Sequence, residues 1–177
     1  AWPHNEQTWP GEFNHIPAIF QQLIATLLQW EPVHLLASEP TIARQAKEQL
    51  QSLTCSAVHP LHWHDIATND AWIRDFGPTF LVGNVSEQDA KPLAGIDWLY
   101  NAWGGKYPPY DLDQQASGKI LSALDAYRFG PSMVLEGGAI EGNGAGTVII
   151  TESCLLNANR NPKWTRSMAE QVLRDYL

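Results

Sequence analysis

Asn69-Asp70-Ala71-Trp72-Ile73-Arg74-Asp75-Phe76-Gly77-Pro78 is the stretch on which the reading of this chain turns. Trp72 and Asp75 stand three positions apart on a short polar segment stopped by Gly77-Pro78, and an apolar strand pattern begins at Thr79. Leu135-Glu136-Gly137-Gly138 and the run from Cys154 to Pro162, Cys-Leu-Leu-Asn-Ala-Asn-Arg-Asn-Pro, have the same character. Each follows or encloses an apolar run. Such loops are where α/β enzymes keep chemistry, because they present carboxylates that a packed core cannot hold unpaired.

Outward from these loops, helical and strand patterns alternate. Ile16, Ile19, Phe20, Leu23, Leu27 and Leu28 recur at helical spacing over 16–29, with Pro17 suited to the first turn. Val33-His34-Leu35-Leu36 reads as a short buried strand, Ile42, Ala46, Leu50 and Leu53 as one face of a second helix, and Cys55 to His59 as a second strand. Thr79 to Val82 and Ile96 to Tyr100 read as a strand pair around a polar turn at 84–92. A helix is expected over 113–127 with Ile120, Leu121 and Leu124 inward. Met133-Val134-Leu135 and Thr147 to Ile150 read as strands separated by the Gly-rich turn from Glu141 to Gly146. Thr165 or Ser167 caps a last helix whose Met168, Val172 and Tyr176 share a face. This alternation predicts an α/β fold. No repeat and no low-complexity linker interrupts it, so residues 1–177 are expected to form one domain or part of a larger one, without an internal boundary.

Composition narrows the function classes. The 177 residues, 44% of them hydrophobic, suffice for one core, and 8 Trp, 13 Gly and 12 Pro describe a loop-rich, aromatic fold. A formal charge of −8 without a Lys/Arg cluster disfavours nucleic acid and mildly favours cationic ligands. Two cysteines, Cys55 and Cys154, are too few for a disulfide scaffold, which makes a reducing cytoplasm the expected compartment. No signal peptide is visible, and no apolar run approaches the roughly 20 residues that span a bilayer. The chain opens Ala1-Trp2-Pro3-His4-Asn5 without an initiator Met and closes on Tyr176-Leu177 inside an amphipathic pattern, so it reads as an internal portion of a longer protein.

The polar loops suit a particular ligand chemistry. A guanidinium is planar, permanently charged and rich in N–H donors, so a site for it needs a carboxylate that accepts its fork and a flat aromatic surface for stacking. Asp75 and Trp72 supply that pair, and Glu136, just ahead of Gly137-Gly138, could supply a second carboxylate where backbone passes close to a ligand. Arg74 is the natural counter-ion for surplus negative charge. Taken singly, each residue also fits a structural role: Asp75 paired with Arg74 or capping a turn, Trp72 in the core, the glycines serving tight turns.

The segments occur together, and in that order they resemble the agmatine deiminase and bacterial-type peptidylarginine deiminase family. The resemblance is carried by Ala1-Trp2-Pro3-His4-Asn5 with Trp9-Pro10-Gly11, by Asn69 to Pro78, by Asn101-Ala102-Trp103-Gly104-Gly105-Lys106-Tyr107, by Leu135 to Ile140 and by Thr151 to Pro162, nearly the whole chain. It implies a pentein fold, a five-bladed α/β propeller, of which this chain looks like an incomplete amino-terminal portion that also lacks the family's first strand. It implies that Asp75 pairs with a small cationic guanidino substrate, that Trp72 lies in the same pocket, and that no metal or cofactor takes part. A Cys thiolate would attack the guanidinium carbon, a His would move protons, ammonia would leave and water would release a ureido product. The family's Gly-His-x-Asp segment and its nucleophilic Cys have no counterpart in residues 1–177. The substrate most consistent with the Asn101 to Asp113 loop and with Asn159-Arg160-Asn161-Pro162 is agmatine, with peptidylarginine or another guanidino compound as the alternative. Another polypeptide supplying the missing half, or a homo-oligomer, is the expected partner.

Other readings stay open beside it: a guanidine-binding module without activity, or a metallohydrolase built on His59, His62 and His64 with Asp65, since H-x-x-H-x-H can present imidazoles to one ion. A surface loop entering the Asp70 turn accounts for the same histidines. Cys154 follows a strand of β-branched residues, where a free Cys is usually an inert small hydrophobe. The segment Trp103 to Tyr110 suits a rim loop over a pocket, with Trp103 a further substrate contact, or simple aromatic packing.

Overall fold

A computed structural model describes residues 1–54, 57–82 and 93–177, which fall into two compact units, Ala1–Ala71 and Trp72–Leu177. Among the described residues no helix is long and apolar enough to cross a membrane.

The first unit is a parallel strand–helix–strand arrangement. Helix α1 (Ile16–Leu27) precedes strand β1 (Val33–Leu36), helix α2 (Pro40–Thr54) makes the crossover, and strand β2 (Leu61–His64) pairs in parallel with β1, Val33 opposite Leu61 and Leu36 opposite His64. Ala46 and Leu50 of α2 are buried with Ile24, Leu28, Leu35 and Trp2, and the Trp2 amide donates to Leu36 O at 3.0 Å. The expected inward face of α1 is only partly right: Ile24 and Leu28 are buried, whereas Ile19 and Leu23 face solvent. The helix has more apolar residues than one core-facing stripe can use. The second strand lies beyond its expected place. Ala57 to His59 is irregular, Cys55 lies outside the described residues, and the pairing is made by Leu61 to His64, where Leu61 and Trp63 pack on the core and alternate with His62 and His64.

The second unit opens on the short helix α3 (Ile73–Phe76) and strand β3 (Thr79–Val82). Strand β3 runs antiparallel to β4 (Leu93–Ile96), which pairs in parallel with β5 (Tyr127–Phe129) after the crossover helix α5 (Asp111–Ala123). The expected strand over Ile96 to Tyr100 is thus displaced: β4 ends at Ile96, and farther along Leu99 makes a lone parallel bridge to Val134. The polar turn at 84–92 lies outside the described residues. Helix α5 stops short of 127 because Asp125 takes a left-handed φ of 51°, which ends the helical ladder, and the chain continues as β5, with aromatic Tyr127 and Phe129 on either side of Arg128. Of its expected inward residues, Leu121 is fully buried and Ile120 and Leu124 are partly so.

Met133 to Leu135 is extended but bridged only at Val134; the hairpin partner of β7 (Val148–Ile150) is instead β6 (Ile140–Gly142). Asn143 shapes the turn between them by accepting from the Ala145 and Thr147 amides at 2.9 and 3.0 Å. Short helix α6 (Glu152–Leu155) follows, then α7 (Arg166–Tyr176), capped by the Thr165 hydroxyl accepting from the Met168 amide. Ala169, Val172, Leu173 and Tyr176 face the core made by Ile96, Trp98, Met133, Leu135, Ile140 and Leu155, while Met168 is exposed.

Candidate functional site

The first unit carries a polar cluster made of imidazoles. His62 and His64 lie on one face of β2, not in a loop as the sequence suggests, and His34 joins them from β1. His34 stacks on His62 and on His64 with ring centroids 4.6 and 5.0 Å apart, and its Nδ1 shares a proton with His64 Nε2 at 2.8 Å. Burial first, then the neighbouring His62 and His64, pushes the His34 pKa down. Asp65 accepts from the Ser38 hydroxyl at 2.7 Å, and among the described residues no group of His, Cys, Asp and Glu is arranged to hold a metal ion. Asp70 accepts from the Thr8 hydroxyl and from the Ala71 amide.

The second unit carries the carboxylate site. Asp75 sits in α3, a single turn closed by Gly77, whose amide donates to Ile73 O at 2.8 Å. The half-buried Asp75 carboxylate accepts from the Gly138 amide at 3.0 Å and from the Trp103 indole N–H. Burial is the dominant influence on it and raises its pKa; the Gly138 and Trp103 hydrogen bonds oppose the rise, Glu136 adds to it and Arg74 opposes it. A Cβ on Gly138 would collide with Asp75 Oδ1, and one on Gly137 would collide with the Arg74 carbonyl oxygen. The Gly137-Gly138 pair is therefore what lets the 137–139 turn lie against α3.

The Trp103 side of the site rests on unusual backbone. Ala102, Trp103, Gly104 and Gly105 all have positive φ, and short helix α4 (Ala102–Gly105) is a strained turn rather than a regular helix. Asn101 Oδ1 accepts from the Gly104 amide at 2.9 Å, and Asn101 Nδ2 donates to Asn159 O at 2.9 Å. The indole packs edge-on against Tyr100 and Tyr107, at 5.6 and 5.7 Å. Trp103 thus both packs and faces the carboxylate.

Glu136 is buried, and its Oε1 accepts from Arg160 Nε at 2.8 Å in an ion pair that leaves each side chain under a tenth exposed. Arg160, not Arg74, is the internal counter-ion; Arg74 is largely exposed and reaches Glu141 only at 3.7 Å. Buried Asn161 ties backbone together, accepting from the Val134 amide at 3.0 Å and donating to Val134 O and Leu155 O at 2.8 Å. Sequence reasoning quoted this Asn-Arg-Asn-Pro run without assigning these roles, and its only local signal is a charged residue between two asparagines and a proline. Asp75, Trp103 and Glu136 therefore come together. Trp72 stands at the head of the same turn, its carbonyl accepting from the Asp75 amide at 2.9 Å and its side chain 41% exposed. Cys154 lies half-buried in α6.

Comparison with known proteins gives one answer. A sequence-family model described as Porphyromonas-type peptidyl-arginine deiminase matches residues 1–177. The agmatine deiminase of Medicago truncatula is 38% identical over 186 aligned positions, covering 100% of this chain and 47% of that protein. That of Pseudomonas putida is 37% identical, again over 100% of this chain and 46% of the relative. Among solved structures, the agmatine deiminase of Enterococcus faecalis superposes with a TM-score of 0.84 at 31% identity, covering 99% of this chain and 46% of its own. A C. jejuni agmatine deiminase with substrate bound gives 0.80 at 26% identity, over 98% of this chain and 48% of its own. The chain spans about half the length of the curated relatives it matches.

Proposed function

The chain belongs to the Porphyromonas-type peptidyl-arginine deiminase family, and from that premise we propose that the protein it represents hydrolyses agmatine to N-carbamoylputrescine and ammonia. The observation that supports this most directly is the Asp75 carboxylate. It is half-buried, held by one backbone amide and one indole N–H, and burial dominates its pKa. A guanidinium arriving there would supply the full positive charge that these neutral donors do not. Glu136 adds negative charge beside it, and Trp72 and Trp103 supply flat aromatic surface.

In the reaction, a thiolate forms a bond to the guanidinium carbon, one C–N bond breaks, and the nitrogen leaves as ammonia with a proton delivered by a His. Water then adds to the same carbon and the S–C bond breaks, which leaves the ureido product and regenerates the thiol. Asp75 holds the substrate so that its carbon faces the thiolate. We place that thiolate and His outside residues 1–177, in the remainder of a pentein propeller of which this chain forms an amino-terminal portion within one catalytic domain. The setting is cytoplasmic, and the remaining propeller is supplied by the same polypeptide, a second chain or an oligomer.

A colorimetric ureido-product assay on the full-length protein tests the reading. Equimolar ureido product and ammonia from agmatine, undiminished by chelator, is the expected result. Turnover of peptidylarginine but not agmatine would move the substrate within the family, and absence of turnover on both would overturn the proposal. Residues 1–177 expressed alone are expected to yield no ureido product.

A further inference from the structure

The Asp75 carboxylate is held from two directions, and both supports lead back to one residue. On one side the Gly138 amide donates to Asp75 Oδ1, and Gly138 belongs to the 137–139 turn that Glu136 precedes. Glu136 is fixed at 2.8 Å by Arg160 Nε. On the other side the Trp103 indole donates to the same carboxylate from the Ala102–Gly105 turn. That turn lies against Asn159 and Arg160 so closely that a Cβ on Gly104 would collide with the Asn159 amide and Arg160 Nη1. Arg160 Nη1 in turn donates to Asn159 Oδ1 at 2.9 Å, and the Asn159 carbonyl accepts from Asn101, which caps the turn.

We infer that Arg160 is the positioning residue of the guanidine site: one buried guanidinium sets the Glu136–Gly138 segment with Nε and the Trp103 turn with Nη1, and so fixes both hydrogen bonds to Asp75. The inference rests on the guanidine-hydrolase reading for its consequence in catalysis, though not for its geometry. Arginine suits the task because its donors lie in a rigid plane, so the two supports are held at a fixed mutual distance. Lysine offers a single rotating point charge. The Trp103 turn needs such a support, since consecutive residues with positive φ persist only where surroundings over-determine them.

The test uses Arg160→Lys, Arg160→Gln and Asn159→Ala in the full-length protein, with two readouts. The first is kcat and KM for agmatine. The second is the indole 1H–15N resonance of Trp103, assigned by its loss in Trp103→Phe and followed with pH in the ligand-free protein. Misplacing a binding group by an ångström costs on the order of 10²-fold in kcat/KM, and a loss of about that size is expected for Arg160→Gln. Arg160→Lys is expected to recover melting temperature more than it recovers kcat/KM. Asn159→Ala leaves the Glu136 pair in place and should shift the indole resonance with a smaller kinetic loss. Folded variants in which the indole resonance and KM stay at their native values would overturn the inference. So would an activity loss that follows melting temperature alone while the indole does not move. If the native protein does not turn over agmatine, the proposed function fails, and the indole resonance in Arg160→Lys and Asn159→Ala still decides the positioning role. If Arg160→Gln does not fold, those same two variants carry the test.

Discussion

The two units bring functional side chains together in different ways. In the first, His34, His62 and His64 lie on adjacent parallel strands of an exposed sheet face, and sheet register alone makes them neighbours. His34 and His64 hydrogen-bond to each other at 2.8 Å, His62 stacks on His34, and among the described residues no group of His, Cys, Asp and Glu is arranged to hold a metal ion. In the second, Asp75, Gly138, Trp103 and Arg160 come from separate segments, and the carboxylate faces donors that are fixed by backbone and by a buried ion pair. Residue types suited to chemistry are present in both units. What separates a site from a polar surface is that the groups aimed at one point are held there by others that are not themselves part of the encounter.

The largest effect that would break this contrast is at Asp75. Asp75→Asn in the full-length protein should cost about 2–5 kcal/mol of agmatine binding, the usual range for truncating a desolvated charge pair. Stability should respond in the opposite sense. The folded pKa of Asp75 is raised above its ordinary value, so its contribution to stability is present at low pH and lost as pH rises through the folded value. The Asn variant should therefore be no less stable than the native protein at neutral pH, and any advantage should vanish in acid. Binding by the native protein should weaken as pH falls through that raised value. Calorimetry and melting curves over pH measure all three, and unchanged affinity in a folded Asn variant would remove Asp75 from the site.

Next in size is the glycine pair that lets the 137–139 turn approach α3. Gly137→Ala meets the Arg74 carbonyl, a backbone atom that cannot swing aside, and should cost about 1–3 kcal/mol of stability as overpacking does. Gly138→Ala meets only the Asp75 carboxylate, which can turn. It should therefore weaken agmatine binding more than it lowers melting temperature, and the reverse order for the two variants would show that Gly137 rather than Gly138 governs the Asp75 carboxylate.

Much of this arrangement was legible in the sequence, for reasons that are local. Helix α2 shows in Ile42, Ala46, Leu50 and Leu53 because they share one stripe, and α7 shows in the Thr165 cap. Asp75 and Trp103 stand beside Gly and Pro, which mark loops wherever they occur. Strand β2 was missed although Leu61-His62-Trp63-His64 alternates, because histidines on the solvent face look like a polar loop until the parallel partner is known. Arg160 was missed for a tertiary reason: its carboxylate partner lies 24 residues away, and nothing in the spacing distinguishes it from Arg74, one residue from Asp75.

A smaller effect is expected at Cys154. The thiol is half-buried in α6, so Cys154→Ser should lower stability by a fraction of what a large core truncation costs and leave turnover intact. Loss of turnover with an unchanged melting temperature would make Cys154 the nucleophile and return the chemistry to this chain.

The smallest effect belongs to the histidine face, and it is visible only as a dependence on pH. His34 has its folded pKa below the ordinary 6.5, with burial as the first cause and His62 and His64 as the next. The unfolded chain therefore binds more protons than the folded one in the interval between the two values, and stability rises with pH across it. His34 contributes stability that is present above about 6.5 and lost as pH falls through the folded value. Asp65, next in sequence to His64, accepts from the Ser38 hydroxyl at 2.7 Å. Melting temperature measured from pH 8 to pH 5 (roughly the interval in which imidazoles titrate) should fall less in His34→Gln than in the native protein, with agmatine affinity unaffected at pH values where Asp75 is ionised. A His34→Gln variant with the full native acid sensitivity would show that the imidazole stack carries none of it, and a change in affinity would mean that the two polar clusters are not independent.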